Sequence, residues 1–199
     1  DGARIAAATG DPERAITILK RACEEGGRSA FIATTTLARI LRTEPGLANS
    51  DEARTRGRLL ADTLEGLGEM IHGTMGGAAD RPSLEGVPTW CRTTPHVVDL
   101  LLSASDARIA VGELNRAGQL LDRALAVLSE AAPRHEENTA STEVSRETSA
   151  AIERIVLAER MRLAERAGDT ALAAELAERR LVGETDGGFA AALSMRIAE

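Results

Sequence analysis

Apolar residues along this chain recur three and four positions apart, the spacing of a helix face, and almost nowhere alternate as a half-buried strand requires. Over residues 12–25 the stripe is Ala15, Ile18, Leu19, Ala22 and Cys23. Asp11 stands where an N-cap belongs, and Pro12 takes the first helical position, where a missing N–H costs nothing. Gly26 and Gly27 then stop the helix. A second stripe, over residues 113–130, runs through Leu114, Ala117, Leu120, Leu121, Ala124, Leu125 and Leu128, with Arg116, Asp122 and Arg123 on the polar side. A third begins near Asp169 and carries Leu172, Ala173, Leu176, Ala177 and Leu181 before Gly183.

Each of these helices follows another helical stretch across a very short turn, at Gly10, Gly112 or Gly168, and such turns join antiparallel helices. The preceding stretches are residues 2–9, residues 96–111 with Val98, Leu101, Leu102 and Ile109, and residues 142–167 with Ile152, Ile155, Val156 and Leu163. Thr94 and Pro95 make a good start for the middle one. Two more helices are expected over residues 29–42 and 50–72, separated at Pro45 and Gly46. The longer one places Leu60, Leu64, Leu67 and Ile71 on one face, while Gly57, Gly66 and Gly68 weaken it. Residues 76–95 concentrate Gly and Pro and read as a long loop, residues 132–141 as a polar connector, and residues 189–197 as a last short helix. The expected layout is N-terminal hairpins over 1–75, the loop over 76–95 and C-terminal hairpins over 96–199, in one continuous helical array.

Three segments align: Gly10-Asp-Pro-Glu-Arg-Ala15-Ile-Thr-Ile-Leu19, Gly112-Glu-Leu-Asn-Arg-Ala117-Gly-Gln-Leu-Leu121 and Gly168-Asp-Thr-Ala-Leu-Ala173-Ala-Glu-Leu-Ala177. They share the Gly, an acidic residue after it, Ala five positions on, and a small or apolar residue four beyond that. This resembles the turn and second helix of the tetratricopeptide repeat, a unit of about 34 residues. Gly10 and Gly112 lie three repeat lengths apart, and Gly112 and Gly168 do not lie a whole number apart. In register, the large aromatic of the repeat's first helix becomes Leu101 and Leu157. The resemblance covers about half the chain and implies an all-α fold of antiparallel helical hairpins, stacked as an irregular TPR-like α-solenoid.

Composition fits that picture. Aromatics make up only 2% of the 199 residues, which removes the cross-strand pairs a sheet would lean on. Acidic residues outnumber basic ones by 31 to 24, for a net charge of −7, and the two signs are interleaved. Nucleic acid is thereby disfavoured as a partner, since it asks for a basic stripe with stacking aromatics. No apolar run could span a membrane. Two cysteines, Cys23 and Cys91, suggest neither a disulfide framework nor a zinc cluster, so a reduced cytoplasmic setting is expected. The chain opens on Asp1 rather than Met, which leaves room for a removed leader or a larger parent protein.

Candidate chemistry is sparse. His72, His96 and His135 fall at helix ends or in the polar connector, where surface placement is the plain reading. Cys91 and His96 are five apart but lack further ligands for a metal. Cys23 sits on an apolar face and reads as core. Trp90, the chain's one tryptophan, either plugs the loop onto the helical body or anchors a partner, since Trp is enriched at interface hot spots. In the tetratricopeptide repeat the first helix of each unit lines a concave groove. By register, the resemblance points to Asp99, Ser103 and Asp106 in the middle unit and to Ile155, Glu159 and Arg162 in the last.

The expected function is a protein- or peptide-binding scaffold, with no catalysis and no cofactor, and with a homodimer left open. The alternative is a sensory or regulatory helical segment of a larger transcriptional or ATPase-linked regulator. Limited proteolysis should cut first between residues 76 and 95, where turn residues concentrate and apolar anchors are few. Resistance there would show a packed loop.

Overall fold

The computed structural model describes residues 12–25, 28–43, 51–75, 87–88, 91–131 and 140–182. Seven helices, and no strand, occur among them: α1 (Pro12–Glu25), α2 (Arg28–Thr43), α3 (Asp51–Met75), α4 (Thr94–Ala110), α5 (Leu114–Ala131), α6 (Ala140–Ala167) and α7 (Thr170–Val182). The fold is all-α, and the helices fall within a few residues of the expected ranges. Among the described residues no helix is long and apolar enough to cross a membrane. The expected helices over 2–9 and 189–197, together with Trp90 and His135, lie outside the described residues.

The chain divides into two compact units, residues 1–113 and 114–199. In the first, α1, α2 and α3 close a core of Ile16, Leu19, Ala33, Leu37 and Leu41, with Leu59 and Leu60 packed against it. Here the expected α1 stripe needs one correction. Ile16 is 5% exposed and Ile18 is 36% exposed, so the core arc of α1 runs through Ala15, Ile16 and Leu19. Both isoleucines border that arc, and α2 and α3 cover the Ile16 side.

Helices α3 and α4 pack antiparallel, with the seam set by small residues. A Cβ built at Gly57 would lie 2.5 Å from Val111 Cγ1, and one at Gly68 would meet Leu101 and Leu100 at 3.6–3.7 Å. Moving up α3 from Gly57 to Gly68 thus moves down from Val111 to Leu101. Two glycines that lower the intrinsic helicity of α3 are therefore points where α4 or its C-cap residue comes against the α3 backbone. Leu64, Ile71, Val97, Val98 and Leu101 fill the rest of this core.

The end of the long loop is anchored rather than loose. Val87 and Cys91 are buried, the Cys91 N–H donates to the Pro88 carbonyl at 3.0 Å, and Arg92 donates to the Val87 carbonyl at 3.0 Å. Thr93 holds the extended backbone of an N-cap, with Pro in the first turn of α4. Burial also pushes the Cys91 thiol pKa upward, so this cysteine is an inert core group.

In the second unit the α5 stripe is buried as expected, from Ala117 through Leu120, Leu121, Ala124, Leu125 and Leu128. It is joined by Val156, Leu157, Met161, Leu163 and Ala164 of α6 and by Leu176 and Ala177 of α7. Gly118 lets the Arg160 guanidinium lie against the α5 backbone, since a Cβ there would come within 3.0 Å of it. That guanidinium grips both Asp122 oxygens, at 2.8 and 3.1 Å, in the bidentate geometry Arg favours.

The aligned glycines at 112 and 168 do the same work. Gly112 has φ +82° and Gly168 φ +76°, the left-handed conformation that side-chain-bearing residues resist. After α4, Gly112 N–H bonds to Ile109 O and Glu113 N–H to Arg108 O; after α6, Gly168 N–H bonds to Glu165 O and Asp169 N–H to Ala164 O. Both are Schellman caps. Asp169 then starts α7 as its N-cap, accepting from Leu172 N–H at 3.0 Å.

Leu121, 1% exposed, should lose about 2–5 kcal/mol on Leu121→Ala. Gly168→Ala should lose about 1–2 kcal/mol through its positive φ alone, because a Cβ there meets nothing within 4 Å. Urea unfolding followed by circular dichroism measures both, and a neutral Leu121→Ala would contradict the core assignment.

Candidate functional site

Among the described residues two hollows can be outlined, one in each unit. The one in the second unit holds three of the residues expected to line a groove. Ile155, Glu159 and Arg162 follow one another at intervals of four and three along α6, so they share a helix face. With Arg154, Ala158 and Arg180 they border an open depression of about 440 Å³. Ile155 is 55% exposed at its floor, unusual for the largest apolar side chain on that face. Around it stand Arg154, Arg162 and Arg180 against one carboxylate, Glu159, which pairs with Arg162 at 2.5 Å. The floor is apolar and the rim carries a positive excess, inside a chain of net charge −7.

The other expected trio, Asp99, Ser103 and Asp106, shares one face of α4 in the first unit. Asp99 and Asp106 are exposed and Ser103 is half-buried. They belong to the other compact unit, so the second unit's depression contains none of them.

The hollow in the first unit, about 270 Å³, lies among α1, α2 and α3, with Cys23, Leu37, Leu59, Gly66 and Met70 in its wall. Sequence alone placed Cys23 in the core; it is half-buried and borders this space. Its thiol sits 3.3 Å from the Thr34 hydroxyl, which already donates to the Ala30 carbonyl at 2.7 Å. With its own proton given to Ala30, the Thr34 oxygen is free to accept from the thiol.

Beside that hollow lies a feature the sequence did not announce. Arg108 is buried at the end of α4, its side chain 9% exposed, and three carboxylates converge on it: Asp62 and Glu65 from α3, and Glu113 from the turn. Glu113 is 2.6 Å from Arg108 and 2.5 Å from Arg58. Burial would lower the Arg108 pKa, but hydrogen bonds and charge from Glu113 and Asp62 outweigh it and the net shift is upward. Hydrogen bonds from Arg108 and then Arg58 hold the Glu113 carboxyl below its ordinary value. A helix-terminal Arg reads in sequence as a solvated partner of the helix dipole; only its position relative to Asp62, 46 residues earlier, turns it inward.

Among the described residues no group of three or more His, Cys, Asp and Glu gathers as a metal site would need. Comparisons with family models, with curated proteins and with solved structures give no match for this chain.

The lowered Glu113 pKa fixes a pH dependence. A carboxyl held below its unfolded value stabilises the fold at neutral pH, above the ordinary glutamate range near about 4.3, and loses that contribution as pH falls through the folded value. Thermal melts from pH 7 down to pH ~3 should show falling stability that Glu113→Gln blunts. An identical pH profile in the variant would remove Glu113 from the account.

Proposed function

We propose that this chain is a protein- or peptide-binding module built from TPR-like helical hairpins, and that the α6 face of its second unit takes up a partner segment. The observation that carries the reading is Ile155, a large apolar side chain left more than half exposed at the floor of a depression rimmed by Arg154, Arg162 and Arg180. An exposed apolar residue within a charged rim is the anatomy of a recognition surface, with the apolar centre supplying affinity and the rim orientation. Repeated Schellman turns after α4 and α6, at the two aligned glycines, support the hairpin resemblance.

Charge complementarity selects the partner. Three guanidiniums and one carboxylate around an apolar floor favour an amphipathic segment with a Leu- or Met-like anchor flanked by Asp or Glu, because Arg pairs with carboxylates bidentately. Catalysis is not part of this reading.

A synthetic amphipathic peptide with Leu at helical spacing and Glu between should bind the chain, and its Lys-substituted counterpart should not. Ile155→Ser and Arg162→Glu should each weaken that binding by tenfold or more while melting temperatures hold, since exposed substitutions move stability by less than about 0.5 kcal/mol. Equal binding of both peptides, or full binding by both variants, would place the interaction elsewhere.

A further inference from the structure

Among the residues that border the α6 depression, one has the partner's charge instead of its complement. Glu159 stands about one helical turn beyond Ile155 and is the only carboxylate in that set. We propose that Glu159 is a built-in competitor: in the unbound chain it occupies Arg162, and the face admits only a segment acidic enough to take Arg162 from it. This assigns a specificity-determining residue to the α6 face and rests on the reading of that face as a recognition surface.

The bonding of two side chains carries the assignment. Arg162 donates from Nη1 to Glu159 Oε1 at 2.5 Å, and among the described residues neither side chain makes another hydrogen bond or ion pair. Arg154, on the same rim, has no such partner among the described residues. An incoming carboxylate therefore finds Arg154 open as it stands, and finds Arg162 open only once Glu159 lets go.

The contact is of a kind that exchanges. Arg162 and Glu159 keep 66% and 36% of their side-chain surface in solvent, and exposed pairs three apart on a helix are weak. Arg160, between them in sequence, shows the contrast: its side chain is 15% exposed and its guanidinium grips both oxygens of Asp122 on α5. That pair holds two helices together, whereas the Glu159 pair joins two residues of one helix and fixes no packing.

A partner's carboxylate offers Arg162 the chemistry that Glu159 offers. Once an apolar anchor covers Ile155, it does so in less water, where the attraction is larger. Exchange then leaves Glu159 beside the partner's negative charge without its counter-ion, a like-charge cost that the complex has to carry. A weakly acidic segment gains little from Arg162 after that cost, and a strongly acidic one gains more. Glu159 thereby sets a threshold of charge for entry.

The test uses the full chain and two labelled peptides, read by fluorescence anisotropy at neutral pH and low salt: the Leu/Glu amphipathic peptide, and the same peptide with every Glu replaced by Gln. Glu159→Gln should tighten binding of the Glu peptide by about threefold or more, the worth of a weak exposed pair together with relief of like charge, and leave the Gln peptide unchanged. Glu153→Gln removes the same charge from α6, but Glu153 pairs with Arg179 and does not border the depression, so neither affinity should move. The gain from Glu159→Gln should shrink in an Arg162→Gln background, where only repulsion is left to relieve; a plain charge effect gives equal gains in both backgrounds. Equal gains, or an equal gain from Glu153→Gln, overturn the competitor. If the wild-type chain binds the Glu peptide and Glu159→Gln binds it no better, the competitor falls while the recognition face stands. Binding of the Glu peptide by neither chain removes both, and binding by Glu159→Gln alone supports both.

Discussion

Burial of one permanently charged side chain, Arg108, governs how the first unit is assembled. A guanidinium does not shed its proton, so its desolvation has to be offset by carboxylates brought to it. Asp62 and Glu65 come from the middle of α3 and Glu113 from the turn after α4, and these contacts fix the axial register of the two helices. The same register puts Val111 over Gly57 and Leu101 over Gly68. Slipping α4 by one turn would part the guanidinium from its carboxylates and drive Val111 onto a side-chain-bearing position. Apolar packing alone tolerates such slips more readily; the ion cluster makes them costly.

The two hollows share a cause in composition. With aromatics at 2%, the cores are built from Ala, Leu, Val and Ile. Small residues let helices approach in pairs, as Gly118 does for Arg160 and Gly57 for Val111. Where three helices meet, large rings normally take up the leftover volume, and here few are available. No aromatic side chain lines the hollow among α1, α2 and α3.

Helix positions were legible in the sequence because their signals are local. Pro12, the glycine pairs and the aligned Gly-acidic turns each act within a few residues, and the structure puts Gly112 and Gly168 in matching left-handed caps. What the sequence could not show depends on pairs distant along the chain. Ile16 and Ile18 flank one arc, and only the placement of α2 and α3 chooses between them. Ile155 belongs to a stripe that reads as core from periodicity and as groove from the repeat register; in the structure it is exposed at the floor of a depression. Arg108 gave no sign of burial because its partner Asp62 lies on another helix. The acidic residue of the aligned turns shows the same limit, since Asp169 caps α7 whereas the Glu113 carboxylate is drawn to Arg108 and Arg58.

Lys20 at the pocket rim is the single lysine in these 199 residues; every other basic side chain that carries a full charge is an arginine. Reagents that acylate primary amines leave guanidiniums alone, so within this sequence they reach one side chain, at the mouth of the α1–α3 hollow. A fluorophore attached there would report on that hollow without any engineered cysteine. The arginine-rich surface, which gives the chain its ion pairs, thereby leaves Lys20 as the one side-chain amine within these residues.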